Sequence, residues 1–268
     1  MKPFIDFHVH PPVKEFIDGP VAPFYVGLDP LGIDDVADHY REGRAVILGL
    51  DTESTTRHRP FSNEDVAAIV AAHPEVFVGF GSVDPARGAK AVAGIHVAAR
   101  LGLAGLAFDP VAQAFDPSER STFPLWANAS DHGLIVLFHT GLTRLGRGLP
   151  GGGGLRLAHG DPRWVDVVAS LYPDLRIVLA HNGPLWRGEA LAVAAHKPNV
   201  WLSLIGTSAA EYTELFDDPL SPLDPNRCLF GSGWAFADLD EQLAGWKLVD
   251  EDLERQVLYD NAAELLGI

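Results

Sequence analysis

The sequence predicts one α/β domain over residues 1–268, folded as a (β/α)8 TIM barrel, and three observations predict it. Eight short apolar runs rich in β-branched and aromatic residues recur along the chain, and stretches with helical spacing separate them. The length also matches the ~250 residues typical of eight β/α units. Runs that are apolar on both faces are what a parallel sheet covered by helices requires. A doubly wound sheet is the alternative, but no G-x-G-x-x-G follows the first run, so the dinucleotide fingerprint of that fold is missing.

In chain order the strands are expected over 4–8, 45–50, 76–82, 104–108, 134–139, 176–181, 200–204 and 228–232. Helices are expected over 33–43, 62–73, 86–101, 123–132, 161–171, 187–196 and 207–216. In "SNEDVAAIVAAH" Ser62 or Asn63 can cap, and Glu64 and Asp65 fall in the first turn, where the helix dipole favours acids. The tail "DEDLERQVLYDNAAELLGI" reads as helical with a break near Asp260 and Asn261. "GRGLPGGGG" (146–154) reads as a flexible loop. No repeat or linker divides the chain.

Charge and cysteine content narrow the function classes. With 36 acidic against 20 basic side chains the formal charge is −16, which repels phosphate backbones and anionic membrane surfaces. A small-molecule substrate is expected, with no nucleic acid and no membrane as partner. The lone cysteine, Cys228, allows neither an intramolecular disulfide nor a thiolate zinc cluster. That suits a reducing cytoplasm. No apolar run approaches the ~18 residues of a membrane helix, and the first residues contain no leader-like apolar core. A soluble, cytoplasmic protein is the expectation.

The chemistry is carried by histidines at strand ends. In "IDFHVHPP" (5–12) His8 and His10 occupy alternate positions, so both project to one face at the C-terminal end of the first strand. In a barrel that end is the mouth where active sites form. "LIVLFHTG" finishes on His139 and "RIVLAHNG" on His181. One histidine at a strand end is commonly a hydrogen-bonded rim residue. Three separate strands ending this way point to a shared ion, because neutral imidazoles on a rigid scaffold suit zinc or a similar divalent metal. Most other histidines fall on helices or helix ends; His159, in the long loop after the fifth strand, is placed to overhang the mouth and contact substrate.

The segments "DFHVHPP", "SNEDVAAIVAAHPEVFVGFGSVDP", "HTG", "DPRWVDVVASLYPDLRIVLAHNG", "RCLFGS" and "YDNAAELLGI" resemble, in order, successive signatures of the amidohydrolase superfamily, in its branch of amidohydrolase-related hydrolases and decarboxylases. The resemblance covers nearly the whole chain and implies the same barrel. It makes His8, His10, His139 and His181 the metal ligands, with His181 also catalytic, and implies one bound zinc ion, or manganese. It implies a metal-dependent hydrolase acting on a small, carboxylate-bearing amide or lactone; the alternative is a decarboxylase of an aromatic or unsaturated acid. Dimers are common in the family, so a homodimer is a further expectation.

Two departures stand out. Where the family carries an Asp after strand eight as ligand and base, "FGSGWAF" has Gly233; where it often carries Lys and His after strand four, "GLAFDPVAQAF" has Ala107 and Asp109. Either Asp109 takes over as catalytic or ligating carboxylate, or the barrel has lost the usual chemistry and only binds a small molecule. Asp109 also fits an Asx turn before Pro110. Ser232 offers a hydroxyl near the same mouth. Arg144, Arg147 and Arg163 are candidates for pairing with a substrate carboxylate, and Trp186 and Trp234 for stacking on a planar substrate.

Overall fold

A computed structural model describes residues 3–13, 29–57, 59–143, 145–181, 185–205, 211, 224–247 and 250–268. The expected helix over 207–216 lies, apart from residue 211, outside the described residues, as does Arg144. Eight parallel strands form one sheet in sequence order: β1 Ile5–Val9, β2 Arg44–Leu48, β3 Phe77–Gly81, β4 Gly105–Phe108, β5 Ile135–His139, β6 Ile177–Ala180, β7 Val200–Ser203 and β8 Cys228–Leu229. The cylinder shuts where the Phe7 amide donates to the Phe230 carbonyl at 2.8 Å. It is the (β/α)8 TIM barrel that the alternation of apolar runs and helical stretches predicts.

The two faces of each strand bury different things. Ile5, Phe7, Val46, Leu48, Leu137 and Val178 belong to one buried cluster, the filling of the barrel. Their strand neighbours Ala45, Ile47, Phe77, Leu106, Phe138 and Leu179 pack in a second cluster with helix residues such as Val36, Val66, Ile95, Trp126 and Val168. Side chains alternate with a period of two, so burial on both faces yields unbroken apolar runs.

The helical layer comprises, among the described residues, α1 Ile33–His39, α2 Glu53–Thr56, α3 Asn63–Ala72, α4 Ala89–Arg100, α5 Phe123–Asp131, α6 Arg163–Leu171, α7 Arg187–His196, α8 Leu239–Trp246, α9 Glu251–Arg255 and α10 Asn261–Leu266. Ser62 is the cap of α3: its hydroxyl accepts from Asp65 N at 3.1 Å while the Asp65 carboxylate accepts from Ser62 N at 3.0 Å. Asn63 instead ties α3 to the sheet, accepting from Ser82 N at 2.9 Å and donating to Gly94 O at 3.0 Å. The expected break near Asp260 is a widened π turn, Gln256–Asp260, with helical dihedrals on through Asn261. It lets Val257 O accept from Phe230 N at 3.1 Å, and Asn261 Nδ2 donates to Pro225 O and Cys228 O, both at 2.7 Å. The C-terminal segment thus clasps β8. Within the glycine stretch, Gly151–Gly154 all sit at positive φ in a tight turn. No helix among the described residues is long and apolar enough to cross a membrane.

Candidate metal centre

Each histidine reaches the mouth by a different local device. Ile5 and Phe7 face the interior, so strict alternation would send His8 outward; the register shift between Asp6 and Val9 turns it in. Alternation then resumes and His10 follows, the two rings 5.0 Å apart. His139 needs no device, since it ends β5 in step with interior Ile135 and Leu137. His181 follows interior Ala180 and is redirected by a left-handed backbone, φ 63°.

The "HTG" triplet secures that turn. Thr140 donates to Ala180 O from both its amide, at 2.9 Å, and its hydroxyl, at 2.7 Å. Gly141, at φ 77°, lies so close to the next peptide that a Cβ there would stand 2.4 Å from His181 O. Only glycine fits both the space and the dihedral.

The imidazoles converge. Nitrogens of His8, His139 and His181 all lie within 4.8 Å of one another, a group that could hold a metal ion. His10 adjoins them through His139, its Nε2 3.2 Å from His139 Nε2, while His8 Nε2 lies 3.1 Å from the same atom. Two nitrogens bound to one ion at ~2.1 Å and at about 90–110° stand roughly 3.0–3.4 Å apart, so these spacings fit. The Phe108 carbonyl, 3.2 Å from His139 Nδ1, assigns the proton to Nδ1 and leaves the Nε2 lone pair facing the other rings. Buried His8 Nδ1 has no hydrogen-bond partner.

Burial above all keeps the rings of His8, His10 and His139 neutral. Burial first, then the fields of His181, His139 and His10, hold His8 well below the ordinary histidine range. Burial followed by His139 and His181 does the same for His10. His139 is lowered by burial, against which the Asp109 charge and the Phe108 carbonyl push upward. Neutral imidazole is the form that binds a metal.

Asp109 is buried beside His139 but is not one of the converging three. Its Oδ1 accepts from Val111 N at 3.1 Å and Ala112 N at 2.9 Å, the Asx turn that the Asp-Pro pair favours. Buried Gln113 positions it: Oε1 accepts from Asp109 N at 3.0 Å, and Nε2 donates to Asp51 O at 2.8 Å and Val83 O at 2.9 Å. One amide thus fastens the ends of β2, β3 and β4.

The turn after β8 is built otherwise than expected. Ser232 does not face the mouth; its hydroxyl donates to buried Asp6. Gly233 has φ 73° and lies against Ile205. Trp234 is packed edge-on to Tyr40, centroids 5.9 Å apart, and against His39 at 4.9 Å. Sequence reasoning passed over Asp6, which is fully buried and whose carboxyl is pushed up to about 6 by burial, with bonds from Ser232, Tyr40 and His8 opposing. A charged residue inside an apolar strand was the available signal.

The remaining candidates divide. The half-buried His159 lies on the 3-10 turn Leu157–Gly160, its Nδ1 buried without a partner. That turn abuts the mouth, because Gly160 O accepts from Gly141 N at 2.8 Å. The Arg163 guanidinium grips Asp161, with Nη2 at 2.5 Å from Oδ2. Arg147 is exposed and Trp186 half-buried ahead of α7.

Comparison with known proteins agrees with this picture. The family model described as Amidohydrolase matches residues 5–268, and the chain belongs to that family. No curated protein matches it. Among solved structures it is similar to an uncharacterized TIM-barrel protein from Bordetella bronchiseptica, at 24% identity and TM-score 0.78 over 99% of this chain and 98% of that one. It is also similar to 5-carboxyvanillate decarboxylase from Sphingomonas paucimobilis, at 18% identity and TM-score 0.72 over the full length of both chains. A third is dihydroxybenzoic acid decarboxylase from Polaromonas sp. JS666 with bound manganese and the inhibitor 2-nitroresorcinol, at 18% identity and TM-score 0.67 over 100% of this chain and 97% of that one. At such identities the likeness is one of fold.

Proposed function

We propose that the chain is a divalent-metal-dependent hydrolase acting at the barrel mouth on a small, carboxylate-bearing amide or lactone. The observation that carries this is the convergence of His8, His139 and His181 within 4.8 Å, with His10 adjoining. These residues would hold the ion, and their all-nitrogen donor set favours zinc over manganese. Such an ion supplies Lewis acidity, polarising a carbonyl and acidifying water. His139, its proton fixed on Nδ1 by Phe108 O, presents a lone pair and orients the cluster. Asp109 is the carboxylate whose field reaches His139, and the His181 ring, on its left-handed turn, stacks on that of His139 with centroids 5.1 Å apart. Asp109 is the proposed proton acceptor, since a ring of His181 that gives its lone pair to the ion has none left for a proton, and His159 is the proposed substrate contact at the rim.

A second reading, decarboxylation of an aromatic or unsaturated acid, is supported by the names of the solved relatives. The same histidines would hold an ion to which the substrate carboxylate could bind, with Asp109 delivering a proton to carbon. Metal analysis of the purified chain, followed by assay against lactone, amide and hydroxybenzoate panels, separates the readings. About one zinc per chain with turnover of a lactone or amide supports the first. Carbon dioxide release from a benzoate supports the second, and no bound metal overturns both.

A further inference from the structure

We infer that Asp6 is a positioning residue whose buried carboxylate, bonded to the backbone at His8 and to Ser232, holds the β1–β8 seam shut beneath the imidazole cluster. This rests on the reading that the cluster holds a divalent ion. The seam needs such a clamp. β8 has two residues in regular pairing, and no ladder joins it to β1 among the described residues. Two backbone bonds cross there: Phe7 N to Phe230 O at 2.8 Å and His10 N to Trp234 O at 3.1 Å.

Asp6 supplies what the ladder lacks. Its Oδ1 accepts from His8 N at 3.1 Å and Ser232 N at 2.9 Å; Oδ2 accepts from Tyr40 Oη at 2.9 Å and from the Ser232 hydroxyl. The Ser232 oxygen in turn accepts from Trp234 N at 2.9 Å. Asp6, Tyr40 and Ser232 are all buried. The pattern leads from one carboxylate to both histidines of the first strand: directly to the His8 amide, and through Ser232 and Trp234 to the His10 amide. Only an acceptor-only group takes four donors at once. Outer partners of this kind orient ligands, and their loss typically costs ~10–100-fold in metal affinity.

Co2+ titration tests the inference, because its visible ligand-field bands report coordination geometry in whatever fraction is folded. The parent chain is expected to bind about one Co2+. Asp6→Asn and Ser232→Ala, folded by circular dichroism, are expected to bind it ~10–100-fold more weakly and with displaced bands. Tyr40→Phe, which keeps three of the four bonds, should shift less. Parent-like affinity and bands in Asp6→Asn and Ser232→Ala overturn the positioning role while leaving the metal reading intact. If Asp6→Asn does not fold, Ser232→Ala decides alone. A parent chain that takes up neither Co2+ nor Mn2+ removes the metal reading and this proposal with it.

Discussion

The carbonyl oxygen of Phe108 lies 3.2 Å from Nδ1 of His139, so the end of β4 sets the tautomer of the histidine that ends β5. His139 Nε2 is also the atom that both His8 and His10 approach. His139→Asn removes that lone pair from the middle of the cluster. Metal affinity is expected to fall by more than ~100-fold, beyond the range typical of an outer partner. Equilibrium dialysis with Zn2+ measures it, and unchanged uptake would remove His139 from the ligand set.

Gly141 is the second test, because it separates packing from chemistry. A Cβ there meets His181 O at 2.4 Å with φ at 77°. Gly141→Ala carries no new charge and removes no ligand, yet must push the His181 peptide aside. A loss of ~2–4 kcal/mol in stability is expected, from the left-handed penalty plus overpacking. Weaker Zn2+ binding should accompany it. Urea melts with and without metal resolve the two effects.

Stability should depend on pH in a definite direction. Burial holds His8, His10 and His139 below the ordinary value of 6.5, so the unfolded chain takes up protons there that the native state refuses. Their contribution is present above pH 6.5 and is lost as pH falls. Asp6 acts in reverse: held at about 6 against 3.8, it favours the fold below 3.8 and less as pH rises to about 6. Three imidazoles against one carboxyl predict that the urea midpoint of the metal-free chain rises from pH 5 to 7.5. A flat or falling midpoint would contradict the buried, neutral cluster.

Restoring an acid after β8 has a calculable obstacle. At Gly233, φ 73°, an added Cβ meets Ile205 Cδ1 at 2.9 Å. Aspartate tolerates the left-handed region better than most residues, and Ile205 can yield. Gly233→Asp should therefore fold, at a cost of ~1–3 kcal/mol. Adding Ile205→Val, which deletes the colliding methyl, should recover at least ~0.5 kcal/mol as coupling in a double-mutant cycle. Strict additivity would mean that the contact is not what opposes the acid.

Much of the barrel was legible because its strands are apolar on both faces, so Val46 through Leu48 or Ile177 through Leu179 could be nothing but interior sheet. The alternate placing of His8 and His10 was legible for the same geometric reason. What escaped were departures from regularity. The shift in β1 that turns His8 inward, the left-handed backbone at His181 and the two-residue length of β8 are settled by neighbours distant in sequence. Asp6 escaped because its partners Tyr40 and Ser232 lie 34 and 226 positions away. The Asp109 turn, by contrast, was readable from Asp-Pro alone, since its bonds are local.

The first strand leaves the ribosome long before its closing partner β8 and the segment that clasps β8. At ~5–20 residues per second the ribosome takes roughly ten to forty seconds between them. Throughout that interval β1 presents an unpaired edge and two imidazoles that have no companions from β5 or β6 until late. The nascent barrel is therefore most prone to aggregate through its first strand. Extra synthesis of only the first four β/α units should yield insoluble material, and the histidine-lined mouth is closed only when β8 arrives.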